Sequence, residues 1–551
     1  MGLSETYFPN FVRLSPFNHK MLQYPATAKQ PIREYALPAN DYICYCILLF
    51  AHIGLVWMLP YFPTQDGPSH LYNLIILDDL IKGGEYWGNF FEYQFRLMPN
   101  WGFHLFAYPL IQVFSPINVE RIFISIYILL MGLSLVTLLH TFNRPIYPYS
   151  YIGLLVIYNF TLVMGNYSYT IGIPLLFFAI CLYWKALSSR RLFRFMTLNI
   201  SGFILFLCHL LPFGFFLLST VILAIVSCVS PKGKLKGCLE YFIMISPCII
   251  ILLAYFRQDG TSFYRPSSLD SDFAGHEFYL FSLSRIFRLW TKLLFFSTDN
   301  FSVWQILPTS ILMYLFFFFL YNSAKIYRAK RHSREEISLG EKGIALISLG
   351  VTLLYFLAPF RLGESSFINE RFPWVIYLLL IPLLRIPDGE FFKKYLKFMI
   401  IAIVLISFGV NSMVLRRESL KVENSLTGLQ AELPRGAFLV SYKRLSAESG
   451  RVDALLHVAS YYGIYKKVVD VGNYEARAPF FPIILKKGLG AWPSLYEIEA
   501  YPEFIDWNLF AAVEFLLGMK IGEDDRIRLS GLFSPIFEDR EITIWRRLYH
   551  R

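Results

Sequence analysis

The stretch YFPTQDGPSHLYN, residues 61–73, follows directly on an apolar run that begins near Tyr42. A bilayer's hydrocarbon core takes about 20 apolar residues of helix to cross. The first polar groups beyond that run, Asp66 and His70, therefore stand at a membrane surface. Pro63, Gly67 and Pro68 brace them, which a solvated loop does not require. Two roles fit Asp66. Followed by Gly67 and Pro68, it suits the N-cap of a helix starting near Pro68 or Ser69. A carboxylate fixed at the membrane edge can also take a proton from an incoming hydroxyl, or hold a divalent cation. His70, in the first turn of that helix, is placed to orient the carboxylate.

Composition supports the membrane reading. Of 551 residues, 55% are hydrophobic and 17% charged, with a mean hydropathy of +0.46, which excludes an ordinary soluble protein. Abundant Phe and Tyr suit lipid-facing helices and interfacial belts. The net charge of +11 invites a nucleic-acid partner, but its distribution argues against one. Residues 1–415 hold 32 Lys+Arg against 22 Asp+Glu, whereas residues 416–551 hold 19 against 18. The excess belongs to the apolar part, where loop topology accounts for it. All seven cysteines lie in or beside apolar segments without ligand spacing and read as small apolar fillers. Arg13, Lys20, Lys29 and Arg33 precede the first apolar run, which reads as a retained signal anchor.

Apolar runs predict spans near 42–60, 118–141, 150–164, 167–187, 195–211, 213–230, 238–256, 303–322, 343–360, 373–386 and 398–415, about eleven in all. Two of them, 150–164 and 373–386, are short. The segment 101–115, WGFHLFAYPLIQVFS, is also apolar but short, with His104 and Pro109 inside it. Charge places it. With 101–115 at the interface, the loops beyond Arg121 put 18 Lys+Arg inside and seven outside; with it spanning, the numbers swap. The positive-inside rule selects the first arrangement. Residues 61–117 then form one long outer loop with amphipathic helices.

Past residue 415 the material changes. GAFLVSY (436–442) and KKVVDV (466–471) read as strands, RVDALLHVASYYGIY (451–465) as a helix between them, and REITIWRRL (540–548) as a final strand. The expected architecture is an all-α polytopic membrane domain over 42–415, after a cytoplasmic tail at 1–41. An external C-terminal α/β domain over 416–551 completes it. In a cell with two membranes this is an inner-membrane, multi-pass protein with that last domain in the periplasm.

Polar residues gather toward the outer rim. The first cluster is DGPSH with Asn100 in the same loop. GNYSYTIG (165–172) forms a second, with His209 at the end of a later span. A third, the loop 257–302, contains Arg265. The fourth, FRLGESSFINERFPW (360–374), packs Arg361, Glu364, Asn369, Glu370 and Arg371 between two spans. Arginine holds a phosphate in a partly desolvated place by charge and by its planar donor fork, which nominates Arg361 and Arg371, with Arg265 behind them. The plainer reading pairs these arginines with Glu364 and Glu370 as interfacial anchors. His209 stands in FLCHLLPF, where packing is the common role, although an ionisable group at that depth is a candidate for function. A metal site built from Asp66, His70 and His209 is disfavoured, since no ligand spacing encodes it. In the C-terminal part, NYEARAPFFP offers a contact loop through Tyr474 and Arg477.

FPTQDGPSHLYN and the stretch through MPNWGFHLF, with many spans and an external C-terminal domain after them, resemble the GT-C superfamily. These are membrane glycosyltransferases that use polyprenyl-phosphate-linked sugars. GNYSY, FINERFPW and VGNYEARAPFFP are similar to motifs of uncharacterised bacterial members. The resemblance implies that Asp66 is the catalytic acid of the first loop and that the partners are a polyprenyl-phosphate sugar lipid and an acceptor glycan, lipid or protein. It leaves open a divalent cation, Mg or Mn, because no adjacent acidic pair accompanies Asp66. The absence of a WWD-type signature disfavours an oligosaccharyltransferase. Three rivals stand beside this reading: a flippase for a lipid-linked sugar, an O-antigen ligase or polymerase, and a non-catalytic assembly protein. A flippase needs polar residues along the middle of several spans, and these are gathered at the rim instead.

Overall fold

A computed structural model describes residues 39–228, 235–258, 285–286, 303–332, 337–360, 366–385, 390–444, 452–478 and 481–548. Residues 37–551 pack as one compact unit. Among the described residues, eight helices are long and apolar enough to cross a membrane, from Asp41–Met58 and Pro116–Thr141 through to Leu339–Leu357 and Tyr395–Gln430. A further long helix, Val303–His332, carries the run expected at 303–322. This is an integral membrane protein.

Two of the expected spans are not continuous helices. The run at 150–164 forms two short pieces, Tyr149–Leu154 and Phe160–Val163. It still travels the length of the first long helix. Tyr151 donates to the carbonyl of Asp41, Tyr158 to that of His52, and the carbonyl of Val163 accepts from Gln65. Asn159 makes the break. Its side chain caps the second piece by accepting from the Leu162 N–H, and donates to Tyr127 Oη and the Val156 carbonyl. Broken backbone at membrane depth is tolerated only inside protein, and every residue from 149 to 165 is buried. The run at 373–386 breaks likewise, into Pro373–Leu380 and a 3₁₀ turn, Ile381–Leu383, that contains Pro382.

The loop 61–117 also differs from expectation. Its main helix, Gly67–Ile81, does not lie on a membrane with one face free: from Gly67 to Leu74 every residue is buried. C-terminal elements cover it. The segment 101–115 forms a helix of only 10 residues, Gly102–Ile111, about 15 Å long and too short to cross. A strand, β1 (Phe91–Tyr93), lies between these helices and pairs antiparallel with β4 (Ile483–Leu485).

Beyond the last long helix a five-stranded sheet forms from β2 (Phe438–Tyr442), β3 (Val469–Asp470), β5 (Phe515–Met519), β6 (Phe533–Glu538) and β7 (Ile542–Arg547), in the order β3-β2-β5-β7-β6. β2 is parallel to both its neighbours, and β7 is antiparallel to β5 and β6. The α/β character expected after residue 415 is present. The helix between β2 and β3 is shorter than its pattern suggests, Ala459–Lys466, and leaves residues 453–458 as turns.

Candidate active site

Asp66 sits at the N-terminus of Gly67–Ile81 with αR geometry, and its side chain makes no cap hydrogen bond. The carboxylate is turned away from its own helix. Gln65 Nε2 donates to Oδ1 at 3.3 Å, and His457 Nε2 lies 3.5 Å from the same oxygen. Burial pushes this carboxyl up to about 7; His70, the Gln65 amide and Arg371 pull in the other direction. His457 is buried, which lowers its imidazole to about 4, so it is neutral, and it packs at a tilt against Tyr474 with ring centres 5.0 Å apart.

The backbone around Asp66 is held by the turn that ends the first broken span. Gln65 N–H donates to the Val163 carbonyl and Asp66 N–H to that of Met164, each at 3.0 Å. Gly165 completes the turn at φ +87°. A Cβ there would lie 2.8 Å from the Gly67 nitrogen and 2.9 Å from that of Asp66, so only glycine allows the two segments this approach.

The His70 side chain does not hydrogen-bond the Asp66 carboxylate, contrary to the orienting role its spacing suggested. Its Nε2 meets the Gly165 carbonyl at 2.8 Å and its Nδ1 meets Glu475 Oε1 at 2.7 Å. Both neighbours accept, so both ring nitrogens carry protons and the imidazole is charged. Burial works against that charge, but Glu475 outweighs it and raises the pKa above the ordinary histidine value. His70 acts on Asp66 as a fixed positive charge.

Arg371 comes in from another segment, the 3₁₀ turn Asn369–Arg371. Its side chain is turned inward and is 9% exposed. Nη1 lies 2.7 Å from His209 Nε2, Nη2 donates to Asn166 Oδ1 at 3.3 Å, and the guanidinium stands 5.6 Å from the Tyr169 ring centre. Among the described residues none of its hydrogen-bond partners is a carboxylate. Arg361 and Glu364, the other members of the anchor reading, lie outside the described residues, and Asn369 and Glu370 do not line the cavity. His209 sharpens the point. Its Nδ1 accepts from the Leu211 N–H at 3.0 Å, which leaves the proton on Nε2, facing Arg371. An anionic oxygen beside this pair, at the cavity edge, can accept from the guanidinium.

These groups line a single cavity of about 530 Å³, within the range of small-molecule sites. Asp66, His70, Asn100, His209, Arg371 and Tyr474, six of the residues nominated from sequence, all face it. Arg361, Glu364 and Arg265 lie outside the described residues. Sequence reasoning missed His457, Glu475, Asn166 and Glu499. His457 reads as one more residue on an apolar helix face, and Glu475 is hidden within the NYEARAPFFP motif. Glu499 lines the same cavity and is pushed by burial to about 7, with Asp66 adding to the shift. Asp66, His70 and His209 do not gather as ligands, since His70 is committed at both nitrogens and His209 faces Arg371. Among the described residues no group of three His, Cys, Asp or Glu is spaced to hold a metal ion.

No family model and no curated protein matches the sequence. Two solved structures are similar to the chain. One is ArnT from Cupriavidus metallidurans bound to undecaprenyl phosphate: TM-score 0.42, 11% identity, covering 92% of this chain and 98% of that one. The other is the same protein in the apo state: TM-score 0.44, 10% identity, with the same coverage.

Proposed function

We propose that this protein is a membrane glycosyltransferase that moves a sugar from a polyprenyl-phosphate donor to an acceptor hydroxyl, with inversion at the anomeric carbon. One observation carries the reading: an uncapped carboxylate, and a buried arginine that has no carboxylate partner among the described residues, line the same cavity. A base needs a carboxylate that can gain a proton, and a leaving phosphate needs a cation that is not already neutralised. The acceptor oxygen attacks the anomeric carbon while its proton passes to Asp66. The bond from that carbon to the phosphate oxygen breaks, and Arg371 receives the charge left on the phosphate. A non-catalytic assembly protein has no need for this convergence.

Undecaprenyl phosphate, the lipid bound in one ArnT structure, is the carrier to try first. The test is transfer of a radiolabelled sugar from a polyprenyl-phosphate donor in vesicles, comparing wild type with Asp66→Asn. Equal transfer by both proteins removes Asp66 from the chemistry and the reading with it.

A further inference from the structure

The C-terminal segment brings an acidic side chain, Glu475, against the Gly67–Ile81 helix. Glu475 is 0% exposed and forms its ion pair with His70. The loop that carries it is fastened to the Gly67–Ile81 helix by a second set of bonds. Asn473 Oδ1 accepts from Ser69 Oγ and Asn73 Nδ2, each at 3.0 Å, and Asn473 Nδ2 donates to Asn73 Oδ1 at 2.8 Å. Two amides and a hydroxyl suffice to dock the loop. A buried ion pair adds little stability over apolar packing, because desolvation offsets its attraction. The pair therefore calls for a use other than docking.

Its use follows from where it ends. Charged His70 donates to the Gly165 carbonyl, in the turn that holds the two reactive groups. Just before Gly165, the Met164 carbonyl accepts from Asp66 N–H; just after it, Asn166 Oδ1 accepts from Arg371. We infer that Glu475 is a positioning residue: through His70 and the Gly165 carbonyl it fixes the spacing between the Asp66 carboxylate and the Arg371 guanidinium. The C-terminal segment is in this way a working part of the catalytic centre as well as a wall of the cavity. The inference rests on the glycosyl-transfer reading above and adds a residue to it. Base and phosphate clamp must act on one donor molecule at once, and small errors in their spacing lower the rate more than the binding.

The test is Glu475→Gln in the full-length protein. Gln keeps the size and still accepts a hydrogen bond from His70, but it removes the charge that holds the imidazole doubly protonated. With a polyprenyl-phosphate-linked hexose as probe, kcat should fall about tenfold or more while donor KM changes less than about threefold, in a variant that stays folded at the assay temperature. His70→Gln should give a similar loss, and the double variant no more than either single one, because the two act as a unit. Wild-type kcat in a folded Glu475→Gln protein overturns the inference. So does a loss in which kcat, donor affinity and melting temperature fall together, or strictly additive losses in the double variant. If wild type itself transfers no sugar, the functional reading falls first and this inference falls with it.

Discussion

At the scale of single residues, Asp66 holds an N-cap position without capping, and this separates its two possible uses. Asn caps as well as Asp, and neither side chain is spent on a cap here, so Asp66→Asn should fold. It cannot accept a proton, and transfer should drop by about 10²–10⁴-fold, measured as turnover of the labelled donor. Because burial sets the Asp66 carboxyl at about 7, wild-type transfer should rise with pH through that value as the base ionises. Stability should move the opposite way. The folded pKa lies above the ordinary 3.8, so the folded protein binds the proton more tightly than the unfolded chain. Stability from this site is full below pH 3.8 and is lost as pH rises through about 7. Asp66→Asn should thus melt above wild type at pH 8, with the gap closing toward pH 4, in melting curves taken at both pH values. Arg371→Lys keeps the charge but loses the planar fork that serves His209, Asn166 and an anion together. Donor KM should rise about tenfold, which steady-state kinetics will show; an unchanged KM would make Arg371 an anchor only.

At the scale of elements, the turn Val163–Asn166 decides the site, and it exists because Asn159 ends the first half of a span early. Gly165 has two reasons to be glycine, a positive φ and backbone 2.8–2.9 Å from where a Cβ would sit. Gly165→Ala should destabilise the protein by roughly 1–3 kcal/mol or more and abolish transfer. Gly214, in the Leu210–Cys228 helix, has nothing within 4 Å of where a Cβ would stand and serves as the control. Gly214→Ala should melt at or slightly above wild type. Equal melting of the two variants in thermal scans would mean the turn does not clamp Asp66.

At the scale of the whole molecule, the outer loop and the C-terminal segment meet around one cavity. They are joined by β1 on β4, by the Asn473 bonds and by Gln65 Oε1 accepting from the Asp453 N–H. The two regions must then lie on one side of the membrane. A reporter fused after Arg551 and one inserted after the exposed Gly83 should both read external, and one fused after Lys397 cytoplasmic. Opposite readings for the Gly83 and Arg551 reporters would contradict the packing, and inverted readings for all three would reverse the charge-based orientation while leaving the packing intact.

Apolar run length by itself determined that this chain is a membrane protein and where most of its long apolar helices fall, since a bilayer sets one length for every helix that crosses it. Residue pattern likewise showed that the C-terminal part carries strands as well as helices, though the last long helix runs on to Ser425 before they begin. Asp66, His209, Arg371 and Tyr474 were visible as polar residues that sit badly in their local surroundings. Sequence could not show that the 150–164 and 373–386 runs break, because a buried series of short helices and a continuous span have the same hydropathy. Nor could it give the partners: Asp66 with His457, His70 with Glu475, Arg371 with His209. These pairs join residues 162 to 405 positions apart, and local pattern carries no information about which distant loop closes over which helix. Only the packing of the C-terminal segment onto the Gly67–Ile81 helix, which buries polar groups that must then find one another, decided that.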